Sequence, residues 1–420
     1  MPQRHHAPAT SHSRHQTPRI LIIAGETSGD MHGARLVRDL LRSRPDLHVY
    51  GVGGDAMSDA GVSIVFHASR LAVVGIVEIL GRLPEIAKAL RWMKRSLTCD
   101  PPDLVILIDF PDFNLRVARY AARRGIPVVY YISPQIWAWR PGRIRLIART
   151  VSRMLVIFPF EEPLYQAHGV PVTYVGHPLL DGLGETQAPG RGSESGASEE
   201  LGLSPLYPVV GLFPGSRTSE VRNLLPTMIE GAEALHRRLP RVQFLLGQAP
   251  GLSEEPYTES LKGFSIPLRR VRSDVNRAMA ICDLAVVASG TATLELALHG
   301  VPMIVVYRVS SATFLLGRLL VRVPSIGLVN LVSRRSVVPE LLQRDFRAET
   351  LQELCWKILS NATYYFTIKR NLADVRALLG NPGASERAAA IVLEMLEGSN
   401  AELPGSPSGM QGALPPIQRR

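Results

Sequence analysis

The segment VVGLFPGSRTSEVR, residues 209–222, carries the signals of a strand, a tight turn and the start of a helix. An apolar, β-branched run ends at a Pro-Gly turn, and a capped helix start follows at residues 216–220. The free N–H groups of a helix N-terminus bind anions, Gly215 permits close backbone approach, and Arg217 adds a planar cation suited to a diphosphate. The alternative is an ordinary strand-to-helix turn with a surface arginine.

The composition is that of a globular chain. The 420 residues are 46% hydrophobic and 20% charged, which favours two cores over one large core. The net charge of 47 − 37 = +10 suits nucleic acid, anionic lipid or phosphorylated substrates. Cys99, Cys282 and Cys355 form no CxxC pattern, which fits a reducing compartment and argues against structural zinc. We expect neither a secretion signal before Arg19 nor a membrane-spanning segment.

Alternating strand and helix signals predict two doubly wound α/β units. The first begins with an apolar strand at residues 20–24 and a loop at residues 25–30, followed by a helical pattern. Because this loop is neither GxGxxG nor GxxxxGK[ST], a nucleotide dehydrogenase or a P-loop ATPase is poorly supported. A turn is expected at the Gly-rich residues 51–54, and helices are expected throughout residues 339–396.

Composition places the boundary between the two units in a segment rich in Gly, Ser and Glu. The two ends of the chain are polar or rich in Pro, Gly and Ser, which is typical of disorder. The expected parts are a disordered tail (1–18), an N-terminal domain (19–181), a linker (182–200), a C-terminal domain (201–364), closing helices (365–397) and a second disordered tail (398–420).

Asp109 follows a continuous apolar run, residues 104–108, within DLVILIDFPDFN. Such a run is typical of a strand buried on both faces of a parallel sheet, and open α/β sheets bind ligands at the carboxyl ends of their strands. A carboxylate is costly to place there, so Asp109 is a candidate general base. The alternative is a carboxylate satisfied by loop N–H groups. Asp112 precedes the next helix and is interpreted as its N-cap.

A second turn, ASGTATLE at residues 288–295, again follows an apolar run and opens a helix. Two such helix starts in one domain suit a nucleotide, the first binding the diphosphate and Glu295 of the second contacting the ribose hydroxyls. Alternatively, Glu295 is a capping-box acid. In the first unit, Trp137 and Trp139 of the loop at residues 133–140 lie beside Arg140, Arg143 and Arg145. This combination suits a sugar face, a base or a phosphate, or the tryptophans simply pack in the core.

Two segments combine apolar and basic residues. Residues 71–97 are apolar and then basic, and residues 313–332 are apolar with two arginines and end near Asn330. One interpretation is contact with an anionic membrane surface, and the other is a core helix with a solvated face.

Together, these segments closely resemble the lipid-A-disaccharide synthase family, glycosyltransferases of Gram-negative outer-membrane lipid assembly. The matching segments are AGETSGDMHGA (24–34), VVGIVEILGRL (73–83), IDFPDFN (108–114), YISPQIWAWR (131–140), PFEEPLY (159–165), VGHPLLD (175–181), FPGSRTSEV (213–221), ASGTATLELAL (288–298) and PMIVVYR (302–308). Each is weakly specific alone, whereas the ordered set over residues 20 to about 345 is strongly specific. The sequence departs at Asp55, where the family commonly has Pro, and in the Gly/Ser-rich residues 185–200. Both departures lie outside the expected site residues and concern local loop shape alone.

The resemblance implies an α/β fold of GT-B type, with two Rossmann-like doubly wound domains facing across a cleft. It implies inverting transfer of 2,3-diacylglucosamine from UDP to 2,3-diacylglucosamine 1-phosphate, giving a β-1,6 disaccharide and UDP, with no metal and no cofactor. The sequence contains no DxD motif, in agreement. The implied location is cytoplasmic, peripheral to the inner-membrane surface. No nucleic acid partner is expected, and a homodimer is left open.

The motifs also give an expected set of site residues. For Ser28, Asp30 and His32 the sequence gives a place near the donor sugar or the acceptor phosphate, and not a role. The expected catalytic residues are Asp109 and Arg217; the expected UDP contacts are Gly215, Ser216, Arg217, Ser289, Gly290, Thr291, Glu295 and Asn330; the expected donor-sugar or acceptor contacts are Gly25, Glu26, Ser28, Gly29, Asp30, His32, Gln135 and Trp137.

Three competing functions share part of this pattern. A UDP-N-acetylglucosamine 2-epimerase would share the nucleotide turns but need no second sugar and no membrane contact. A UDP-sugar-dependent peptidoglycan transferase has the same fold, so fold alone does not exclude it. A non-catalytic basic protein that binds nucleic acid or lipid would be indifferent to Asp109. The acid at a strand end and the two phosphate-binding turns favour chemistry over such a binding role.

Overall fold

The structure is a computed structural model that describes residues 17–71, 76–137, 141–182, 198, 200–249, 251–264, 266–309 and 325–398. Almost all of the expected tails and of the expected linker, Trp139, and residues 313–324 of the second apolar segment therefore lie outside the described residues; Gly398, expected in the second tail, is the last residue of a helix.

The N-terminal half forms a parallel seven-stranded sheet in the order β3-β2-β1-β4-β5-β6-β7. Its strands are β1 (Arg19–Ala24), β2 (His48–Gly53), β3 (Ser63–His67), β4 (Leu104–Ile108), β5 (Val128–Tyr131), β6 (Arg153–Val156) and β7 (Val172–Tyr174). Its helices are α1 (Thr27–Ser43), α2 (Asp55–Asp59), α3 (Ile76–Cys99), α4 (Pro111–Ala122), α5 (Ile144–Thr150) and α6 (Glu161–Gln166), with 3₁₀ turns at Ala68–Arg70 and Pro141–Arg143.

The C-terminal half forms a parallel six-stranded sheet in the order β10-β9-β8-β11-β12-β13. Its strands are β8 (Val209–Phe213), β9 (Gln243–Gly247), β10 (Leu268–Val271), β11 (Leu284–Ala288), β12 (Met303–Tyr307) and β13 (Glu340–Leu342). The helices of this half are α7 (Thr218–Arg238), α8 (Glu255–Ser260), α9 (Val275–Ala280), α10 (Ala292–Leu298), α11 (Leu328–Ser333), α12 (Ala348–Ser360), α13 (Ala362–Leu378) and α14 (Ala384–Gly398).

The centre of each sheet is buried on both faces because its strands are continuous apolar runs. Every residue of β4, β8 and β11 is buried, as is most of β1. The strand order reverses direction between β1 and β4, and again between β8 and β11. Ligands of open α/β sheets bind at such switch points, outside the carboxyl ends of the strands. The predicted doubly wound α/β fold is confirmed.

The last helix, α14, returns to the N-terminal sheet and packs against α1. Its first turn is capped by Asp181, whose carboxylate accepts hydrogen bonds from the N–H groups of Gly383, Ala384 and Ser385 at 2.6, 3.0 and 2.9 Å. Arg387 donates from Nε to the carbonyl of Val175 at 2.8 Å. Helix α14 thereby joins the two halves of the molecule.

Three predictions of local structure are wrong. Residues 27–30 belong to helix α1 rather than to a loop, because Gly29, Asp30 and His32 are buried and packing outweighs the low helix propensity of glycine. The Gly-rich residues 51–53 continue strand β2, which pairs with β1. The C-terminal region expected to be wholly helical contains β13, which pairs with β12 and extends the sheet.

The described side chains of α3 fit a core helix with a solvated face. Ala89, Met93 and Leu97 are buried at successive turns, while Lys88 and Arg91 are exposed. The side chains of residues 72–83, the apolar part of the predicted membrane segment, lie outside the described residues. In the second segment, residues 329–332 are buried in α11.

Candidate active site

A cavity of about 280 Å³ lies where the carboxyl ends of both sheets meet. The N-terminal half supplies most of its lining, and Thr291 and Leu328 come from the C-terminal half. The N-terminal lining residues are Ser28, Gly29, His32, Asp109, Pro111, Ile132, Ser133, Pro134, Gln135, Ile136, Arg143, Ile157, Phe158 and His177. The structure thus brings together Ser28, Gly29, His32, Asp109, Gln135 and Thr291 from the predicted site.

Asp109 sits in a strained turn whose backbone is held in place by neighbouring groups. Asp109 and Phe110 have φ angles of +44° and +46°, a region that side chains other than glycine rarely adopt. The carbonyl of Asp109 accepts hydrogen bonds from Asn114 Nδ2 at 2.7 Å and from the Tyr130 hydroxyl at 2.6 Å. A Cβ on Gly25 would lie 2.3 Å from the Phe110 ring, so only glycine fits opposite this turn. These contacts fix the backbone and leave the carboxylate on the cavity wall.

Burial, and secondarily the negative charge of Glu26, raise the pKa of Asp109 to about 7, against a smaller opposing effect of the Phe110 N–H group. A carboxylate that titrates near neutral pH accepts a proton far more readily than an ordinary aspartate. The electrostatics therefore favour the general-base interpretation over a carboxylate satisfied by loop N–H groups.

Asp112 is not the N-cap that the sequence suggested. Helix α4 begins at Pro111, and Phe110 occupies the N-cap position. Asp112 lies in the first turn, where it forms an ion pair with Arg143. Its negative charge still stabilises the N-terminus of α4 by interacting with the helix dipole, without a capping hydrogen bond.

Asp30 points away from the cavity, to helix α2. Its carboxylate accepts hydrogen bonds from the N–H groups of Gly54, Ala56 and Met57 at 2.6, 3.1 and 3.1 Å. The structure therefore places Asp30 as the cap of α2 rather than as a group facing a substrate.

Two buried imidazoles belong to the cavity wall, and the sequence analysis singled out one of them. Burial lowers the pKa of His32 to about 4 and that of His177 to about 3, so both are neutral at pH 7. His177 Nδ1 accepts a hydrogen bond from the N–H of Leu179 at 3.2 Å, which places its proton on Nε2. His177 was missed, although a Gly-His-Pro turn directly after a strand was a usable signal.

The side chains of Gln135 and Trp137, both in the loop after β5, make different contacts. Gln135 lines the cavity, whereas the Trp137 indole donates to Glu161 Oε1 at 3.2 Å. Glu161 also accepts from Ser133 Oγ and, at Oε2, from the N–H of Phe158 at 3.2 Å. Burial raises the pKa of Glu161 to about 7. This buried acid, which the sequence analysis missed, holds the loop that forms one wall of the cavity.

The turn after β8 adopts the predicted strand–turn–helix geometry. The N-cap residue of the helix is Arg217, whose side chain makes no capping hydrogen bond, and Glu220 instead accepts one from the N–H of Ser216. Gly215 has φ +112°, and helix α7 begins at Thr218. Arg217 Nη1 lies 3.3 Å from Glu220 Oε1, and Arg217 Nη2 lies 4.0 Å from Glu26 Oε2 of the N-terminal half. Arg217 is about half exposed, with 47% of its side chain accessible. A guanidinium of the C-terminal half therefore faces a carboxylate of the N-terminal half.

The turn after β11 is the second predicted nucleotide contact. Ser289 Oγ donates to the carbonyl of Ile326 at 2.9 Å, and open space lies beside Gly290. Thr291 is the N-cap of α10, but no side chain of the described residues caps this helix, so the capping-box interpretation of Glu295 is wrong. Burial raises the pKa of Glu295.

Asn330 lies in α11 and is almost fully buried. Its amide donates to the carbonyl of Val338 at 2.9 Å and to Glu340 Oε1 at 2.8 Å, and it accepts from the N–H groups of Val337 and Val338. All of its polar atoms are therefore used inside the protein. Asn330 therefore links α11 to β13 by hydrogen bonds and does not face the cleft.

Neither a metal cluster nor a membrane-crossing helix is present among the described residues. No group of three or more His, Cys, Asp or Glu side chains in that part of the chain is arranged to hold a metal ion. None of its helices is both long and apolar enough to cross a bilayer. The metal-independent chemistry expected from the sequence stays a prediction.

Two Rossmann-like sheets facing across a cleft define an α/β protein of GT-B type. A family model described as lipid-A-disaccharide synthetase matches residues 20–395. The lipid-A-disaccharide synthase of Geobacter metallireducens is 46% identical over 378 residues, covering 90% of this chain and 97% of that protein. The chain belongs to the lipid-A-disaccharide synthase family and is a glycosyltransferase, so the resemblance seen in the sequence is confirmed.

Solved structures with low sequence identity share the fold. A UDP-GlcNAc 2-epimerase from Neisseria meningitidis bound to UDP-GlcNAc has a TM-score of 0.62 and 13% identity, covering 90% of this chain and all of that chain. The calicheamicin glycosyltransferase has a TM-score of 0.57 and 15% identity, covering 91% of this chain and 99% of that chain. At these identities the likeness concerns the fold alone, and it confirms the predicted GT-B fold class.

Proposed function

We propose that this protein transfers 2,3-diacylglucosamine from UDP-2,3-diacylglucosamine to 2,3-diacylglucosamine 1-phosphate, forming a β-1,6 disaccharide 1-phosphate and UDP. The observation that carries the proposal is the position of Asp109. Its carboxylate, with a pKa of about 7, lies on a cavity that residues of both halves line. The family membership supports the choice of substrates.

The proposed reaction is a single in-line displacement. Asp109 removes the proton from the 6-hydroxyl of the acceptor as that oxygen attacks the anomeric carbon, and UDP leaves from the opposite face. One base is sufficient for inversion. The strained turn and the hydrogen bonds to the Asp109 carbonyl support this role, since they hold the carboxylate ready at the strand end.

Charge on the departing diphosphate is met by Arg217 and by the turns at Gly215-Ser216 and Gly290-Thr291. Arg217 faces the N-terminal half through Glu26, which supports its placement at the cleft. Loss of one such stabilising group typically lowers the rate by on the order of 100-fold. We propose that this electrostatic set replaces a metal ion, and that the enzyme needs no cofactor.

The inner part of the cavity suits an uncharged sugar ring. His32 and His177 are neutral because burial lowers the pKa of each, and Ser28 and Gln135 add uncharged polar groups. Arg143 also lines the cavity, but its charge is already paired with Asp112. Neutral donors and acceptors bind hydroxyl and amide groups, whereas a phosphate is better met by cations. We therefore assign the sugar to this region and the nucleotide to the turns of the C-terminal half.

We further propose that the protein works at the cytoplasmic face of the inner membrane, where acylated substrates are held. The exposed basic residues of α3, Lys88, Arg91, Lys94 and Arg95, support this location, because such a row attracts anionic headgroups. A homodimer is compatible with this arrangement, and nucleic acid is not a partner in it.

The test is UDP release by the purified protein in detergent and EDTA, with the donor alone and with donor plus acceptor. Release that requires the acceptor and persists in EDTA is the expected result. Release from the donor alone would point to a hydrolase or an epimerase, and would contradict the proposed transfer.

A further inference from the structure

The carboxylate of Glu220 lies in the turn that the sequence predicts to bind a diphosphate. Its Oε2 atom accepts a hydrogen bond from the N–H of Ser216 at 3.0 Å, and its Oε1 atom accepts one from Arg217 Nη1 at 3.3 Å. These are the backbone donor and the cation expected to bind the nucleotide. The carboxylate is drawn into the turn, with 23% of its side chain exposed.

The turn is shaped closely around this carboxylate. Gly215 adopts φ +112°, and a Cβ at this position would lie 2.2 Å from Glu220 Oε2. Burial raises the pKa of Glu220, while Arg217 and the N–H groups of the turn act in the opposite direction. The carboxylate is thus partly buried, and it is held by the donors that a bound anion would use.

A diphosphate at this turn would compete with Glu220 for the same donors. The single N–H of Ser216 makes one strong hydrogen bond, and the Arg217 fork already faces two carboxylates, Glu220 from its own helix and Glu26 from across the cleft. Two anions on one short turn also repel each other, and the repulsion is strengthened where water is partly excluded.

We propose that Glu220 is an affinity-determining residue that occupies the diphosphate position of the turn and must be displaced when UDP binds. The inference rests on the proposed function, because the UDP site is part of that proposal. Displacement costs binding energy, so UDP is held more weakly than an empty turn would hold it. The returning carboxylate then favours release of the product.

The experiment measures equilibrium binding of UDP and of uridine by isothermal titration calorimetry, in buffer with EDTA. The variants are Glu220→Gln, which keeps the shape of the side chain and removes its charge, and Glu220→Ala, which empties the turn. Glu255→Gln is the matched control. Glu255 lies on α8 and pairs with Arg222, an exposed residue of the first turns of α7. Uridine lacks the diphosphate and reports whether each variant keeps a folded nucleotide site.

The expected result is UDP binding tighter by about fivefold or more in both Glu220 variants, the difference between a charge-assisted and a neutral hydrogen bond. Uridine binding should stay unchanged in all proteins, and Glu255→Gln should bind UDP as the wild type does. Unchanged or weaker UDP binding by both Glu220 variants, with uridine binding intact, would overturn the inference alone. A wild-type protein that binds neither ligand would contradict the proposed function and the inference with it.

Discussion

The pH dependence of turnover is the prediction that follows most closely from the structure. Burial and the charge of Glu26 raise the pKa of Asp109 to about 7, so the proton-accepting form of this carboxylate is depleted below neutral pH. For a base with this pKa, about a tenth is ionised at pH 6 and about a hundredth at pH 5. We expect kcat to fall about tenfold for each pH unit below 7.

Glu26→Gln changes the charge beside Asp109 and leaves Asp109 itself in place. It also removes one of the two carboxylates that face Arg217, which alters the height of the pH profile and not the position of its acid limb. Removal of the neighbouring negative charge lowers the pKa of Asp109, and the acid limb of kcat should move to lower pH by roughly half a unit to one unit. The phosphate of the acceptor titrates in the same range, but it does so equally with both proteins. The shift between the two profiles therefore reports on the enzyme alone.

The assay is UDP release at saturating donor and acceptor, in buffers of constant ionic strength. Glu353→Gln serves as the control, since Glu353 pairs with the exposed Arg238 and its loss should leave the profile in place. An acid limb near pH 4, or a limb that does not move in Glu26→Gln, would refute the general-base assignment.

Three further predictions concern stability, each measured by thermal unfolding. The pKa of Asp109 is higher in the folded protein than in the unfolded chain, so an ionised Asp109 opposes folding at pH values above its unfolded pKa. Asp109→Asn should therefore raise the free energy of unfolding at pH 7 by on the order of 1–3 kcal/mol, while activity is lost. A Tm below that of the wild type would contradict this. Asp30→Ala leaves three N–H groups of α2 without their acceptor and should cost about 1–3 kcal/mol, and an unchanged Tm would be evidence against the capping role. Burial lowers the pKa of His177, so below about pH 6.5 the unfolded chain binds a proton that the folded protein does not. The wild type should therefore lose stability as the pH falls from 7 to 5, and His177→Asn should lose less. An equal loss in the two proteins would count against this.

The central strands and the turns at their ends were predictable from the sequence. Residues 104–108 and 209–213 are continuous apolar runs, and burial on both faces of a sheet demands this pattern. The position of Asp109, directly after β4, and that of Arg217, in the turn that follows β8, were therefore predictable, because such turns lie at the ligand-binding edge of the sheet. Edge strands gave no comparable signal: β3 and β10 are largely half-buried or exposed, so few of their residues need to be apolar.

The environment of each polar group was not predictable. Asp30 lies two residues before His32, on nearly the opposite side of α1, but which N–H groups its carboxylate meets depends on how α2 packs against α1. Glu161 reads as an ordinary first-turn acid, and only the fold brings Ser133 and Trp137 to it. Long-range contacts decide such roles, and local pattern carries no information about them.

The central claim is that Asp109 performs the chemistry in a cleft shared by both halves, and a single-turnover experiment tests it most directly. Asp109→Asn and wild-type enzyme, each in excess over donor and acceptor, are mixed and quenched at short times, and UDP affinity is measured in parallel. With Asp109 as the base, we expect the rate of transfer to fall by about 10²- to 10⁴-fold with UDP affinity essentially unchanged. A folded Asp109→Asn enzyme that transfers at a near-normal rate would contradict it.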